Sequence, residues 1–143
     1  MRQIEAAVAR MSPNALLVVA SAVWGLTYKP DTSTLRRSSG VELCDWLLDQ
    51  GAGVRIHDPI VRELAPHWSG RIAKFSDPLE AAAGVDALVI ATGWPRYRSI
   101  APGQLAERSR ELLVLDANRF VPQLGVQLEQ LSYVAVGMSD PDA

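Results

Sequence analysis

The sequence predicts an α/β fold: a Rossmann-like three-layer sandwich with a parallel sheet and helices on both faces. Two observations carry this. Short apolar runs bounded by turn residues alternate along the chain with segments of helical periodicity, and strands that alternate with helices pair in parallel through right-handed crossovers. The run from Ala15 to Trp24 stops at Gly25 before a polar loop, as a buried strand does. A chain of 143 residues with 48% hydrophobic and 21% charged residues suits one core.

The elements follow in order. Arg2 to Met11 reads as a short amphipathic helix, broken by Ser12-Pro13-Asn14. The first strand covers Leu17 to Leu26. Val41, Leu43, Cys44, Leu47 and Leu48 recur at helical spacing, which sets a helix over Ser39 to Gln50 with Gly51 as its stop. Gly53 to His57 is the second strand, leaving through His57-Asp58-Pro59. Ile60 to His67 forms a short turn or helix, Arg71 to Phe75 a short strand, and Asp77 to Ala83 a helix closed by Gly84. A strand over Ala87 to Ala91 leads into Thr92-Gly93-Trp94-Pro95. Gly103 to Arg110 makes a modest helix, Leu112 to Leu115 a strand, and Tyr133 to Val136 a last strand before a frayed tail.

Composition removes several function classes. Fourteen basic and 16 acidic residues give a net charge of −2, which disfavours wholesale attraction to nucleic acid or an anionic membrane. Any phosphate site must be local. One cysteine forms no internal disulfide and is compatible with a cytoplasmic location. The Ala15–Trp24 run is too short to span a bilayer.

The chemistry concentrates in Val23 to Ser38. In open α/β sheets ligands gather beyond the carboxyl ends of strands, and this segment puts Lys29 and Arg36 there. A compact ammonium and a planar guanidinium fork suit a diphosphate better than a neutral sugar. Thr32, Ser33 and Thr34 add hydroxyl donors, and the next helix points its N-terminus at the same loop. The plainer alternative is a solvated loop with surface cations. Thr92, Gly93 and Trp94 stand at the same sheet edge, where the indole either lines a pocket or packs on the sheet.

The run GLTYKPDTSTLRRS, Gly25 to Ser38, resembles the signature that opens the C-terminal domain of the UDP-glucose/GDP-mannose dehydrogenase family. GAGVRIHDP (Gly51 to Pro59), DALVIATGWPRY (Asp86 to Tyr97) and LLVLDAN, ending at Asn118, resemble its later blocks in family order. Together they span roughly residues 14 to 137.

The resemblance implies that Tyr28 and Lys29 contact a nucleotide-sugar substrate. It gives Arg36 a contact with NAD bound by another domain, and Asn118 and Arg119 a role in holding the substrate. It divides the chain into residues 1–13, the tail of a connecting helix and a linker; 14–138, the nucleotide-sugar-binding C-terminal domain; and 139–143, a flexible tail. Complete members oxidise a UDP-sugar to its uronate with NAD, and full-length members form homodimers. On this reading the chain alone is incomplete, its partners being a nucleotide-sugar and the N-terminal and central dehydrogenase domains.

Two departures stand out. The family's paired acidic residues are Ser33 and Thr34 here, which makes the loop more positive, and the order Asp116-Ala117-Asn118-Arg119 exchanges the family's arginine and asparagine. Asp116 itself reads as a residue that caps or turns its loop.

No Gly-x-Gly-x-x-Gly turn is present. Gly51-Ala52-Gly53 follows a helix and precedes a strand, the reverse of the order that seats a pyrophosphate. Cys44 lies mid-helix without a glycine-rich loop, so it reads as a core thiol rather than a nucleophile. His57, without a cysteine or second histidine at ligand spacing, reads as a hydrogen-bonded structural residue.

A stand-alone nucleotide-binding module without redox activity is the alternative function. A signalling receiver domain is the third, on the strength of Asp58 after a strand, but a receiver needs an acidic cluster where this chain has Tyr28-Lys29-Pro30.

Overall fold

The structure is a computed structural model that describes residues 20–26, 39–61, 64, 66–68, 70–116 and 118–135. Six strands form one sheet: β1 Ala20–Trp24, β2 Gly53–His57, β3 Ile72–Lys74, β4 Ala87–Ile90, β5 Leu112–Leu115 and β6 Leu131–Val134. Every pairing is parallel, in the order β3-β2-β1-β4-β5-β6. The chain builds outward from β1 to β3, then returns to lay β4 against the free side of β1. That reversal opens a crevice beyond the carboxyl ends of β1 and β4, where doubly wound folds take their ligands.

Side chains alternate across the sheet and fill two cores. Val23, Ile56 and Val89 face helix α1, Ser39–Asp49, and pack with its Leu43, Cys44 and Leu47. Ala22, Trp24, Leu88, Ile90 and Val114 face the other way, toward Ala82 of helix α2, Pro78–Ala82, and Leu105 of helix α3, Pro102–Ala106. Each fully buried leucine contributes roughly 1.5–3 kcal/mol. The three-layer sandwich expected from the alternation is the observed architecture.

Local chemistry sets the helix ends. Gly51, at φ 84°, takes the left-handed turn that closes α1, its N–H donating to the Leu48 carbonyl at 3.0 Å. Asp77 caps α2 by accepting the Leu79 N–H at 2.9 Å, and Pro78 occupies the first turn. No helix among the described residues is long and apolar enough to cross a membrane.

Three expectations need correction. The last strand begins at Leu131 rather than Tyr133, because Leu131 and Tyr133 are its inward-facing residues while Ser132 and Val134 are exposed. The helix placed over Gly103 to Arg110 ends at Ala106, since the Arg108 carbonyl accepts from Gly84 N–H at 3.0 Å and the chain then turns into β5. The exit of β4 is a 3₁₀ turn, Pro95–Ser99, where the pattern gave no element. The proposed N-terminal helix, the stretch before Ala20 and the tail lie outside the described residues.

Candidate functional site

The carboxyl edge is built around the exit of β1. Gly25 stands at φ 89°, and a Cβ there would collide with the Thr92 side chain, so only glycine lets the ends of β1 and β4 meet. The first turn of α1 comes back to the same place: a Cβ on Gly40 would lie 2.5 Å from the Gly25 carbonyl oxygen. Residues 27–38 therefore leave and re-enter the fold at one point on the crevice.

That point is tied to β2. Gly25 N–H donates to the His57 carbonyl at 2.7 Å. Asp58, buried at 3% exposure, accepts Leu26 N–H at 2.7 Å through one carboxylate oxygen, and Ile60 N–H at 2.9 Å and Val61 N–H at 3.0 Å through the other. A carboxylate engaged with three backbone donors organises loops. A buried carboxylate so engaged does not fit the phospho-acceptor of a receiver domain.

The 3₁₀ turn after β4 crosses β1 to reach the same spot. Tyr97 stacks on Trp24 at 4.9 Å between ring centroids, and its hydroxyl lies 2.9 Å from His57 Nδ1 while donating to the His57 carbonyl at 3.2 Å. Burial lowers the His57 pKa to about 4, with the Arg96 charge adding to the shift, so the imidazole is neutral. Burial likewise pushes the Tyr97 phenol up. His57 is thus the hydrogen-bonded structural residue expected, and no cluster of three metal-ligating side chains occurs among the described residues. Trp94 packs into the second core at 6% exposure, its indole N–H without an acceptor among the described residues.

At the exit of β5 Asp116 is fully buried. It accepts Phe120 N–H at 2.8 Å, Val121 N–H at 2.7 Å and the Tyr133 hydroxyl at 2.8 Å, which is the loop-turning role expected of it. The loop it holds presents Asn118 and Arg119, both exposed, with Arg119 in the left-handed region at φ 54°. A non-glycine residue there costs backbone strain of order 1 kcal/mol.

The site residues anticipated from sequence divide accordingly. Asn118 and Arg119 lie at the carboxyl edge, two strands from β1 in the order β1-β4-β5. Tyr28, Lys29 and Arg36 lie outside the described residues, while the two ends of their loop, Leu26 and Ser39, lie within them. Asp58 and Tyr97 were missed as architects of the edge. A strand exit reading Asp-Pro was the available signal for the first; the second carried none.

The family model of the UDP-glucose/GDP-mannose dehydrogenase family, UDP binding domain, matches residues 22–123. The chain belongs to this family. It is 34% identical over 119 residues to a UDP-glucose 6-dehydrogenase of Rhizobium meliloti, covering 83% of this chain and 27% of that protein. It is 30% identical to the UDP-glucose 6-dehydrogenase of Pseudomonas aeruginosa, covering 85% and 28%. The chain thus spans little more than a quarter of the length of these relatives.

A UDP-glucose dehydrogenase of Pyrobaculum islandicum aligns with a TM-score of 0.65 at 28% identity, over 92% of this chain and 31% of that one. An NDP-N-acetyl-D-galactosaminuronic acid dehydrogenase of Methanosarcina mazei aligns at 0.73 and 18%, over 94% and 27%, and shares the fold.

Membership in a dehydrogenase family raises the question of NAD. Dinucleotide folds hold the pyrophosphate on a tight glycine-rich turn running straight from strand into helix. In this UDP-binding-domain chain residues 27–38 intervene between β1 and α1, and Gly25 is closed off by Thr92. The described residues do not fit a resident dinucleotide. Nor do they offer a nucleophilic thiol: Cys44 is fully buried and desolvation pushes its pKa up.

Proposed function

We propose that this chain is the substrate-binding domain of an NAD-dependent nucleotide-sugar dehydrogenase, holding the diphosphate of a UDP-sugar that the complete enzyme oxidises to its uronate. Tyr28 and Lys29 take the nucleotide-sugar, Asn118 and Arg119 support it from the β5 exit, and Arg36 reaches toward NAD carried mainly by another domain. The chain binds and orients; the redox step and the covalent cysteine chemistry belong to other segments of the dehydrogenase. Its setting is cytoplasmic, in an enzyme that dimerises.

The observation that carries this reading is the anchoring of both ends of the Lys29 loop at the sheet's switch point, by Asp58 on one side and Gly40 on the other. A loop pinned at its ends spends less entropy on gripping a ligand. The buried, committed state of Cys44, His57, Asp58 and Asp116 is consistent with binding rather than reaction.

Isothermal titration with UDP, UDP-glucose, GDP-mannose and NAD tests the reading. UDP and UDP-glucose bind, and Lys29→Ala weakens them by about 1–3 kcal/mol through loss of a charge-assisted phosphate contact. Affinity unchanged in that variant removes Lys29 from the site.

A further inference from the structure

The carboxyl edge carries an imbalance of charge. Among the described residues its carboxylates are consumed internally: Asp58 on backbone N–H groups at the exits of β1 and β2, Asp116 on backbone N–H groups of its own loop and the Tyr133 hydroxyl, Asp77 on the cap of α2. The cations Lys74, Arg96 and Arg119 are exposed and form no ion pair or hydrogen bond among the described residues. One of them is held differently from the rest.

Arg96 sits in the 3₁₀ turn that crosses from β4 over β1. Its neighbour Tyr97 is pinned to the last residues of β1 and β2, Trp24 and His57. Gln123 Nε2 donates to the Tyr97 and Ile100 carbonyls at 2.9 and 3.2 Å. Arg98, two residues on, spends its guanidinium on the Phe120 carbonyl at 3.2 Å. The turn therefore presents one uncommitted arginine from a fixed backbone, directly beside the strand ends where residues 27–38 depart. The positive charge of Arg96 is felt at His57, the last residue of β2. The Trp94 indole N–H at the cap of this turn is buried in the second core and has no acceptor among the described residues.

We propose that Arg96 is a further binding residue of the nucleotide site, gripping a phosphate oxygen of the diphosphate from the turn that follows β4. This rests on the reading of the chain as a nucleotide-sugar-binding domain. A guanidinium on a fixed turn loses little freedom on binding and can engage two oxygens at once.

Titration calorimetry on the 143-residue chain tests it, using UDP and uridine at several salt concentrations, with wild type, Lys29→Ala, Arg96→Gln, Arg96→Lys and Arg71→Gln. Arg71 precedes β3 at the opposite sheet edge and controls for loss of one positive charge. Arg96→Gln is expected to weaken UDP about ten-fold and to flatten the salt dependence, leaving uridine affinity and the melting temperature alone. Arg96→Lys recovers part of the loss, and Arg71→Gln matches wild type.

Lysine-dependent UDP binding that is unchanged in Arg96→Gln overturns the role of Arg96 and leaves the binding-domain reading standing. An equal loss for uridine, or a lowered melting temperature, makes Arg96 structural and also overturns it. A wild-type chain that binds no UDP overturns both.

Discussion

The Asp58 carboxylate accepts the Leu26 N–H at 2.7 Å across the carboxyl edge, joining the exit of β2 to the exit of β1. Its second oxygen holds Ile60 and Val61, so one side chain satisfies donors on two loops that are 32 residues apart at Leu26. Asp58→Ala strips these donors of their acceptor and should cost about 3 kcal/mol, given roughly 1–3 kcal/mol for each buried group left unpaired. Asp58→Asn keeps one acceptor oxygen and should cost less than half as much. Urea unfolding of the three proteins checks this; a loss below about 1 kcal/mol for Asp58→Ala would show that water replaces the carboxylate.

Acid should destabilise the fold through His57. The imidazole titrates near 6.5 when unfolded and at about 4 when folded, so between those values the unfolded chain binds more protons. The stabilising contribution is complete above pH 6.5 and is lost as pH falls toward 4, by up to about 3 kcal/mol. His57→Asn retains a polar partner for the Tyr97 hydroxyl and removes the titration. The wild-type-minus-variant difference in unfolding free energy, measured at pH 7 and pH 4.5, should shrink in acid; a difference independent of pH sinks the assignment.

Cys44 should behave as part of the core. Its thiol is fully buried against α1's partners, and burial disfavours the thiolate. Ellman-type reagents should label it only as fast as the chain unfolds, and Cys44→Ser should leave UDP affinity at the wild-type value. Rapid stoichiometric labelling of the folded protein is the outcome that contradicts this.

Where pattern and structure agree, short-range chemistry decides. Gly53–His57 and Leu112–Leu115 are the strands read from the chain, residue for residue, because turn-forming neighbours bound their apolar runs on both sides. Asp116 was legible as a loop-turning residue because its backbone partners lie only four and five positions away. Tyr97 was not, since its partner His57 is 40 residues distant and only the parallel sheet brings them together. The last strand was misplaced because Val134-Ala135-Val136 is more apolar than Leu131-Ser132, while at a sheet edge only every second residue need face inward.

Gly25 and Gly40 bring the departure and return of residues 27–38 together, through the close approach of Gly40 to the Gly25 carbonyl and the Leu26 backbone. The scaffold thereby fixes how far apart the two ends of the stretch stand. A loop of any length placed between Leu26 and Ser39 has the same short gap to close. Length can therefore vary there while the span that has to be bridged does not.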